Sequence, residues 1–144
     1  MKSLLIVVFA VAFSPQSPVN IWDLFAGVTF NPLLIKELNE YYLVPSFDSR
    51  IRSYEGKEVT LKGYYIPTEL QDKHTIILSR KPLAECFFCG GAGPESVAEI
   101  VFSSAAPSFE VDQIITVTGI LKLNEKDVNH MNFILTRSKV IAKK

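Results

Sequence analysis

The sequence predicts a mainly β protein, a five-stranded OB-like barrel with a short, partly helical N-terminal extension. Five segments with the composition of strands follow one another in the barrel domain, residues 57–144, without long helices between them, which argues against a parallel βαβ sheet. The first segment is long, and the first and fourth contain an interior glycine, Gly63 and Gly119. Such a glycine marks a bulge or a bend at a barrel corner. A small β-sandwich is the alternative fold.

The individual strands are predicted from their periodicity and composition. Residues 59, 61, 63 and 65 alternate with residues 60, 62, 64 and 66, and this period of two is typical of a β-strand. Pro67 ends that strand. The other four are apolar and rich in β-branched residues. Only eight residues, 105–112, separate the third and fourth strands, which leaves little room for a helix. These four predicted strands span residues 74–80, 97–103, 114–123 and 132–141.

The N-terminal extension, residues 18–56, has too few apolar residues to fold alone and is expected to pack against the barrel. Residues 28–30 have the composition of a short strand. An Asn-Pro pair then predicts a turn or the start of a short helix over residues 33–42. Apolar residues at helical spacing predict a second short helix over residues 47–55, with Gly56 placed to end it. The apolar residues near the start of the extension are Ile21, Trp22, Leu24 and Phe25.

The beginning of the chain has the pattern of a secretory signal peptide. Lys2 precedes an unbroken apolar run at residues 4–13, and a polar Ser-Pro-Gln-Ser stretch follows. The run has ten residues, whereas a membrane-spanning helix needs about 20. We therefore predict a signal peptide over residues 1–17, with a buried N-terminal strand as the alternative. The mature protein is expected to be periplasmic or secreted, with no stable membrane span after signal removal.

Charge and motifs exclude several classes of function. Lys and Arg number 15 and Asp and Glu number 15, so the formal net charge is zero, and a non-specific nucleic-acid binder needs a basic excess. No serine has the surroundings of a hydrolase nucleophile. The glycine-rich stretch at residues 90–95 matches neither a P-loop nor a dinucleotide fingerprint. Glu95 and Glu99, which share a face only if they lie on a helix, are unconvincing as paired carboxylates. A non-enzymatic role is favoured.

The most unusual stretch is CFFCGGAGPE, residues 86–95, between the second and third predicted strands. Its cysteines, Cys86 and Cys89, allow a disulfide, which closes too small a loop to contribute much chain entropy and would mainly shape the turn. A redox role would have Cys86 as a thiolate. Thioredoxin-like motifs, however, place C-x-x-C at the start of a helix in a βαβ unit, and Gly90 and Gly91 disfavour a helix here.

The same cysteine pair resembles half a zinc knuckle, because the two-residue spacing lets both thiolates reach one ion. Zinc or another soft metal would need two further ligands, and the chain's other soft ligands are His74 and His130. The second predicted strand separates His74 from the cysteines by about 20 Å, at roughly 3.3 Å per residue, which argues against this set. The alternative is a four-cysteine site shared by two copies of Cys86 and Cys89, in a homodimer.

A third interpretation is a rigid, glycine-rich loop, oxidised or reduced, that presents two phenylalanines. Adjacent side chains in an extended loop point to opposite sides, so one ring is expected in the core and the other exposed for a partner. The glycines can also form an anion-binding nest. The predicted binding surface consists of Phe87, Phe88, Gly90, Gly91, Gly93 and Glu95.

Two motifs carry a resemblance to a known group. Residues 56–67 read GKEVTLKGYYIP and residues 86–96 read CFFCGGAGPES. Both resemble a group of small exported bacterial proteins of unknown function with an OB-like barrel, and the likeness spans residues 20–142. The resemblance implies an OB-like fold and no particular reaction or metal. Related exported OB modules are mostly binding or assembly parts, which favours a non-enzymatic role by analogy.

These observations together predict an exported, non-catalytic binding or assembly module with no cofactor. Its contact surface would be the loop that carries Phe87 and Phe88, with the neighbouring barrel face, and its partner an envelope protein or a small ligand rather than a nucleic acid. Two alternatives use Cys86 and Cys89, namely a zinc or soft-metal binding protein and a thiol-disulfide redox protein.

Overall fold

A computed structural model describes residues 20–36, 39–69 and 72–144. The predicted signal peptide, residues 1–17, lies outside the described residues. Three 3₁₀ turns lie between the second and third barrel strands. The elements in chain order are α1 (Ile21–Ala26), β1 (Thr29–Ile35), β2 (Glu40–Ser46), α2 (Ser49–Arg52), β3 (Glu58–Ile66), β4 (Thr75–Ser79), the 3₁₀ turns Leu83–Glu85, Phe87–Cys89 and Pro94–Ser96, β5 (Val97–Phe102), β6 (Ile114–Leu123) and β7 (Phe133–Lys143).

Strands β3 to β7 form a closed barrel in the order β3-β4-β5-β7-β6. Neighbouring strands are antiparallel except β5 and β7, which are parallel. Every second residue of β6 is buried, as expected for a strand with one face on the core. The predicted OB-like barrel is confirmed, and the sandwich alternative is wrong because the sheet closes on itself. Strand β6 spans its predicted range, and the other four differ from prediction by one or two residues at their ends.

Both interior glycines lie where strands approach closely. Gly119 is at a register shift between β6 and β7, beside a bulge in which Arg137 has a φ of 53°. A Cβ on Gly119 would lie 2.5 Å from Ser138 Oγ. A Cβ on Gly63 would lie 2.6 Å from the Ser79 carbonyl oxygen. The predicted bulge is confirmed at Gly119, while Gly63 is required by close packing.

Helix α1 docks the N-terminal extension on the barrel. Asn20 caps the helix, and its Oδ1 accepts a hydrogen bond from the Trp22 N–H at 3.1 Å. The Trp22 indole Nε1 donates to the Lys62 carbonyl at 2.7 Å. The indole ring lies against β3, where a Cβ on Gly63 would be 3.2 Å from Trp22 Cζ2. Residues of α1 and of the barrel strands therefore belong to one core.

A cluster of aromatic rings around Phe133 of β7 joins the extension to the barrel. The Phe25 ring stacks on Phe133 with 3.9 Å between centroids. Phe30 and Phe47 meet the same ring edge-on, with centroids 6.4 Å and 5.8 Å away. Because Phe30 lies in β1 and Phe47 directly follows β2, the base of the β1–β2 hairpin is fixed to the barrel through Phe133.

The helix predicted over residues 33–42 is wrong, because the described part of that range, residues 33–36 and 39–42, belongs to a β-hairpin. β1 and β2 pair antiparallel along their whole lengths and form a separate two-stranded sheet. The turn includes Asn39 with a φ of 51°, a conformation that asparagine adopts more readily than most residues. The Asn-Pro pair, predicted to form a turn or to start the helix, lies inside β1, and an edge strand tolerates proline. The strand predicted at residues 28–30 is the beginning of β1.

The second helix, predicted over residues 47–55, forms only as the shorter α2. Asp48 caps it, and its Oδ1 accepts from the Ile51 N–H at 3.0 Å. Gly56, expected to end the helix, has a φ of 77° in the turn that follows. Across the described ranges, no helix has the length and apolar character needed to cross a bilayer.

Candidate functional site

A groove of about 870 Å³ lies between the hairpin and the barrel. One wall is the hairpin, mainly β2. The other wall is the β6–β7 loop, residues 124–132, together with Phe87 and Pro94 of the C-x-x-C loop, residues 80–96. Arg52 of α2 also lines the groove and is ion-paired with Glu125. The volume is within the range of roughly 300–1,000 Å³ that is usual for small-molecule sites.

The hairpin wall presents apolar side chains to solvent. Leu33, Tyr41 and Leu43 line the groove and are 55%, 73% and 49% exposed. A single exposed hydrophobic residue is ordinary on a protein surface, but several along one concave surface mark a site of interaction. On the opposite wall Val128 is also exposed, and Met131 is half-buried. Both walls therefore offer apolar surface to whatever enters the groove.

The β6–β7 loop is held in shape by Asn124. Its Nδ2 lies within hydrogen-bonding distance of three carbonyls, those of Asp127 at 2.7 Å, His130 at 3.2 Å and Met131 at 3.3 Å. Its Oδ1 accepts from the N–H groups of Lys126 at 3.3 Å and Asp127 at 3.0 Å. One side chain thus contacts five polar backbone groups of this loop, a role suited to asparagine. This wall of the groove is preformed.

Behind that loop lies the buried carboxylate of Glu99, which is hydrogen-bonded to His130. Glu99 Oε1 is 2.8 Å from His130 Nδ1, and Glu99 Oε2 accepts from the Met131 N–H at 3.0 Å. The Glu99 side chain is 8% exposed, whereas that of His130 is 50% exposed and lines the groove. The idea of Glu95 and Glu99 on one helical face is wrong, since Glu99 is in β5 and Glu95 in a 3₁₀ turn.

The C-x-x-C loop covers a second, small core on the other face of β3, β4 and β5. Cys86 is fully buried there and packs with Ile66, Ile77 and Val97. Cys89 is exposed, and both cysteines are free thiols. The Cys89 N–H donates to the Cys86 carbonyl at 3.1 Å, so the motif forms a tight turn.

The exposed Cys89 thiol has a raised pKa. Desolvation, with a smaller contribution from a hydrogen bond to Cys86, raises the pKa of the Cys89 thiol above its ordinary value of 9.0. The thiolate is the nucleophilic and metal-binding form, so a raised pKa lowers the reactive fraction at neutral pH. The backbone hydrogen bond from Cys89 to Cys86 keeps the two residues close together.

The predicted binding surface divides into two parts. Phe87 packs on the second core and lines the groove, whereas Phe88 is 40% exposed and meets the Phe87 ring edge-on at 5.4 Å. The Gly90 and Gly91 amides donate to carbonyls of the same turn at 3.0 Å and 3.1 Å, so they are not directed at an anion. Gly93, also in the loop, lies so close to the Glu95 carboxylate that a Cβ would meet it at 2.2 Å.

The two histidines occupy separate surroundings. His74 is just before β4, where its N–H donates to Asp72 Oδ1 at 2.7 Å, while the ring of His130 is bonded to Glu99. Within the described ranges, no three side chains among His, Cys, Asp and Glu are grouped so that they could hold a metal ion. The structure therefore does not bring His74 and His130 together with the cysteines.

Comparisons with known proteins bear on the fold alone. No protein-family model matches the chain, and no curated protein matches it. Among solved structures, the chain is similar to a DUF3299 family protein from Pseudomonas aeruginosa, with a TM-score of 0.50 and 15% sequence identity. The similarity covers 90% of this chain and 96% of that one. At this identity the likeness supports the barrel architecture and says nothing about a ligand.

Sequence reasoning missed the hairpin wall and the Glu99–His130 pair. The hairpin was hidden because a Leu-Leu-Ile run and a Tyr-Tyr-Leu-Val run fit a short helix as well as two strands. Glu99 did carry a signal, since it is the one charged residue inside the strand VAEIVF. A charge within a buried strand needs a partner, and that requirement points to a paired polar group nearby.

Proposed function

We propose that this protein is an exported, non-catalytic binding module that holds a small apolar ligand in the groove between the hairpin and the barrel. The observation that carries the proposal is the apolar, exposed hairpin wall, where Leu33, Tyr41 and Leu43 line a groove of about 870 Å³. The signal-like segment at residues 1–17 and the resemblance to small exported proteins support export.

Burial of apolar surface would drive binding. Each square ångström of apolar surface removed from water contributes about 25 cal/mol. A ligand seated between Leu43 on one wall and Val128 and Met131 on the other would cover surface on both sides. Little reorganisation is needed, because the Asn124 hydrogen bonds already fix the barrel wall.

The groove lining supports a role without catalysis. His130 is the lining residue best suited to proton transfer, and among the described residues its hydrogen-bond partner is Glu99, with no serine, threonine or cysteine bonded to its ring. A nucleophilic mechanism requires such a residue within hydrogen-bonding reach of the base. The exposed thiol, Cys89, does not line the groove.

The direct test is isothermal titration calorimetry of the purified chain with 1-decanol. We expect saturable binding that Leu43→Asp weakens at least about tenfold, because a charge in the wall costs desolvation on ligand entry. Ile141→Asp is the matched control. Ile141 is 56% exposed on β7 and does not line the groove, so this variant should bind like the original chain. Equal loss in both variants, or no binding at all, would refute the proposal.

Soft-metal binding through Cys86 and Cys89 is a second candidate, supported by the tight turn in which the Cys89 N–H donates to the Cys86 carbonyl. Native mass spectrometry on the exported fraction, alkylated without reductant, tests it. One zinc per dimer would indicate four cysteines shared between two copies, and one zinc per monomer would implicate His74 and His130. A mass two hydrogens light with no metal would indicate a disulfide.

The thiol-disulfide alternative is weaker, because the raised pKa of Cys89 disfavours attack by this thiol at neutral pH. Alkylation of Cys89 by iodoacetamide should follow an apparent pKa above 9.0. In Cys86→Ala, which removes the smaller contribution of the Cys86 thiol, the apparent pKa should fall only part of the way toward the ordinary value, because desolvation remains. Fast alkylation of Cys89 at pH 7 in the unmodified chain would instead favour the redox role.

A further inference from the structure

The buried Glu99 fixes how His130 presents its ring to the groove. Glu99 Oε2 accepts from the Met131 N–H, and Oε1 lies 2.8 Å from His130 Nδ1, an arrangement suited to a carboxylate that accepts a second hydrogen bond from Nδ1. The second ring nitrogen, Nε2, has no protein partner among the described residues, and half of the His130 side chain is exposed at the groove wall. Glu99 therefore sets the tautomer and orientation of a histidine whose free nitrogen is available to a ligand.

The other polar side chains of this wall are mostly occupied. Arg52 is ion-paired with Glu125. Asp127 Oδ1 accepts from Asn129 N at 3.0 Å and from Asn129 Nδ2 at 3.1 Å. These hydrogen bonds, with the nearby positive charges as a smaller cause, lower the pKa of Asp127, so this carboxylate is ionised at neutral pH.

Two nitrogens of the wall are left without a partner in the part of the chain that the structure describes. They are His130 Nε2 and the ammonium of Lys126, and both residues line the groove. A histidine nitrogen donates when the ring is charged, and a lysine ammonium only donates. A negative ligand oxygen beside the ring favours that charged form.

Resting on the proposed function, the geometry points to the ligand's class: we propose that the groove binds an amphiphile with a carboxylate head. One carboxylate oxygen accepts from His130 Nε2, and Lys126 supplies a second positive charge. The alkyl chain lies against the apolar hairpin wall formed by Leu33, Tyr41 and Leu43. His130 is then a ligand-binding residue, and Glu99, which does not line the groove, is a positioning residue.

The ionised Asp127 lies close enough to interact with His130 and opposes an anionic head. Its carboxylate already accepts two hydrogen bonds from Asn129, so part of its charge is compensated locally. The preference for a carboxylate should therefore be clear but moderate. We expect about a tenfold difference in affinity, at the lower end of what a charge-assisted hydrogen bond gives.

The experiment compares decanoate with 1-decanol, which has the same chain length without the charge, by calorimetry on the full mature chain at neutral pH. Decanoate should bind about tenfold more tightly than 1-decanol. His130→Gln should reduce that ratio to below about threefold, because decanoate loses more affinity than 1-decanol when the charged hydrogen-bond donor is removed. His74→Gln is the control, because His74 is outside the groove, and it should keep the full ratio.

Glu99→Gln tests the positioning role with a spectroscopic readout. In the original chain, ¹⁵N NMR should show the His130 ring protonated at Nδ1, and decanoate should shift the Nε2 resonance. In Glu99→Gln the Nδ1-protonated form should lose its preference, and the decanoate-to-decanol ratio should fall although His130 is still present. An unchanged His130 spectrum and ratio in this variant would overturn the role of Glu99.

The remaining outcomes separate the two proposals. If decanoate and 1-decanol bind the original chain equally, the carboxylate anchor is wrong and the apolar groove stands. If neither probe binds, the proposed function itself is wrong. If His130→Gln weakens both probes to the same extent, His130 is a structural residue of the wall, and the anchor is again wrong.

Discussion

The two walls of the groove are built by different means. The barrel wall is a loop whose backbone is fixed by one asparagine, Asn124, and which is braced from behind by the buried Glu99. The hairpin wall is a separate two-stranded sheet in which Leu33 and Tyr41 are largely exposed. Its base alone is tied to the core, through Phe30 and Phe47 on Phe133.

The difference separates affinity from selectivity. Exposed apolar side chains on the hairpin contribute non-directional binding energy, which depends on area and not on fine geometry. The barrel wall holds His130 Nε2 in a defined orientation, and directional hydrogen bonds discriminate between ligand head groups. Substitutions at three positions should show whether this division holds. They are Phe133, which contacts the base of the hairpin, Gly63, which packs against α1, and Asn124 in the β6–β7 loop.

The largest effect is expected from Phe133→Ala, which removes the ring that joins both walls. Phe25 stacks on it and Phe30 and Phe47 contact it, so the substitution leaves a cavity between extension and barrel. The free energy of unfolding should fall by about 3–5 kcal/mol in urea denaturation. Ile141→Ala, on the exposed end of the same strand, should change it by less than about 0.5 kcal/mol. A small effect at Phe133 would show that the hairpin is not anchored there.

Gly63→Ala should weaken the packing of α1, and with it the N-terminal extension, against β3 of the barrel. The new methyl group would lie 2.6 Å from the Ser79 carbonyl and 3.2 Å from the Trp22 ring, and the backbone carbonyl cannot move away easily. We expect a loss of about 1–3 kcal/mol, with a change in Trp22 fluorescence. Gly27→Ala provides the contrast, since its nearest neighbour would be at an ordinary 3.4 Å. Equal stabilities of the two variants would contradict the close-packing role of Gly63.

Asn124→Ala should loosen the β6–β7 loop that forms the barrel wall. The amides of Lys126 and Asp127 would lose their acceptor, and hydrogen exchange there should become several-fold faster. Global stability should fall by only about 1 kcal/mol, because water can replace bonds in an exposed turn. Asn124→Asp keeps the acceptor oxygens and loses the Nδ2 donor, so these two amides should stay protected. Unchanged exchange in Asn124→Ala would remove the distinction between the walls.

The barrel was predictable from the sequence because its signals are local. Period-two alternation defined the strand at residues 59–66, and β6 was found over its full range. Gly119 marked the bulge because no side chain fits 2.5 Å from Ser138 Oγ. These constraints act within single strands and between neighbouring strands, so they can be predicted from the local sequence.

The groove was not predictable because it arises from contacts distant in sequence. Glu99 and His130 are 31 residues apart and meet only once β5 and β7 are paired. The hairpin has an unusual backbone conformation at Asn39 and is anchored to Phe133. Neither feature can be predicted from the local apolar composition. The conspicuous C-x-x-C motif drew attention to Phe87, which does line the groove, although Cys86 itself serves a small core.

The smallest effect should appear when the Asp127 carboxylate, in the barrel wall, is protonated at low pH. Hydrogen bonds from Asn129, aided by His130, lower the pKa of Asp127 below its ordinary value of 3.8. A carboxyl whose pKa is lowered in the folded state contributes stability that is present above 3.8 and is lost as the pH falls through the folded-state pKa. Asn129 amide shifts, followed by NMR, should therefore titrate below pH 3.8, while the Leu43 amide of the hairpin stays unchanged. In Asp127→Asn this transition should vanish, and its persistence would assign the effect to another carboxyl of the loop.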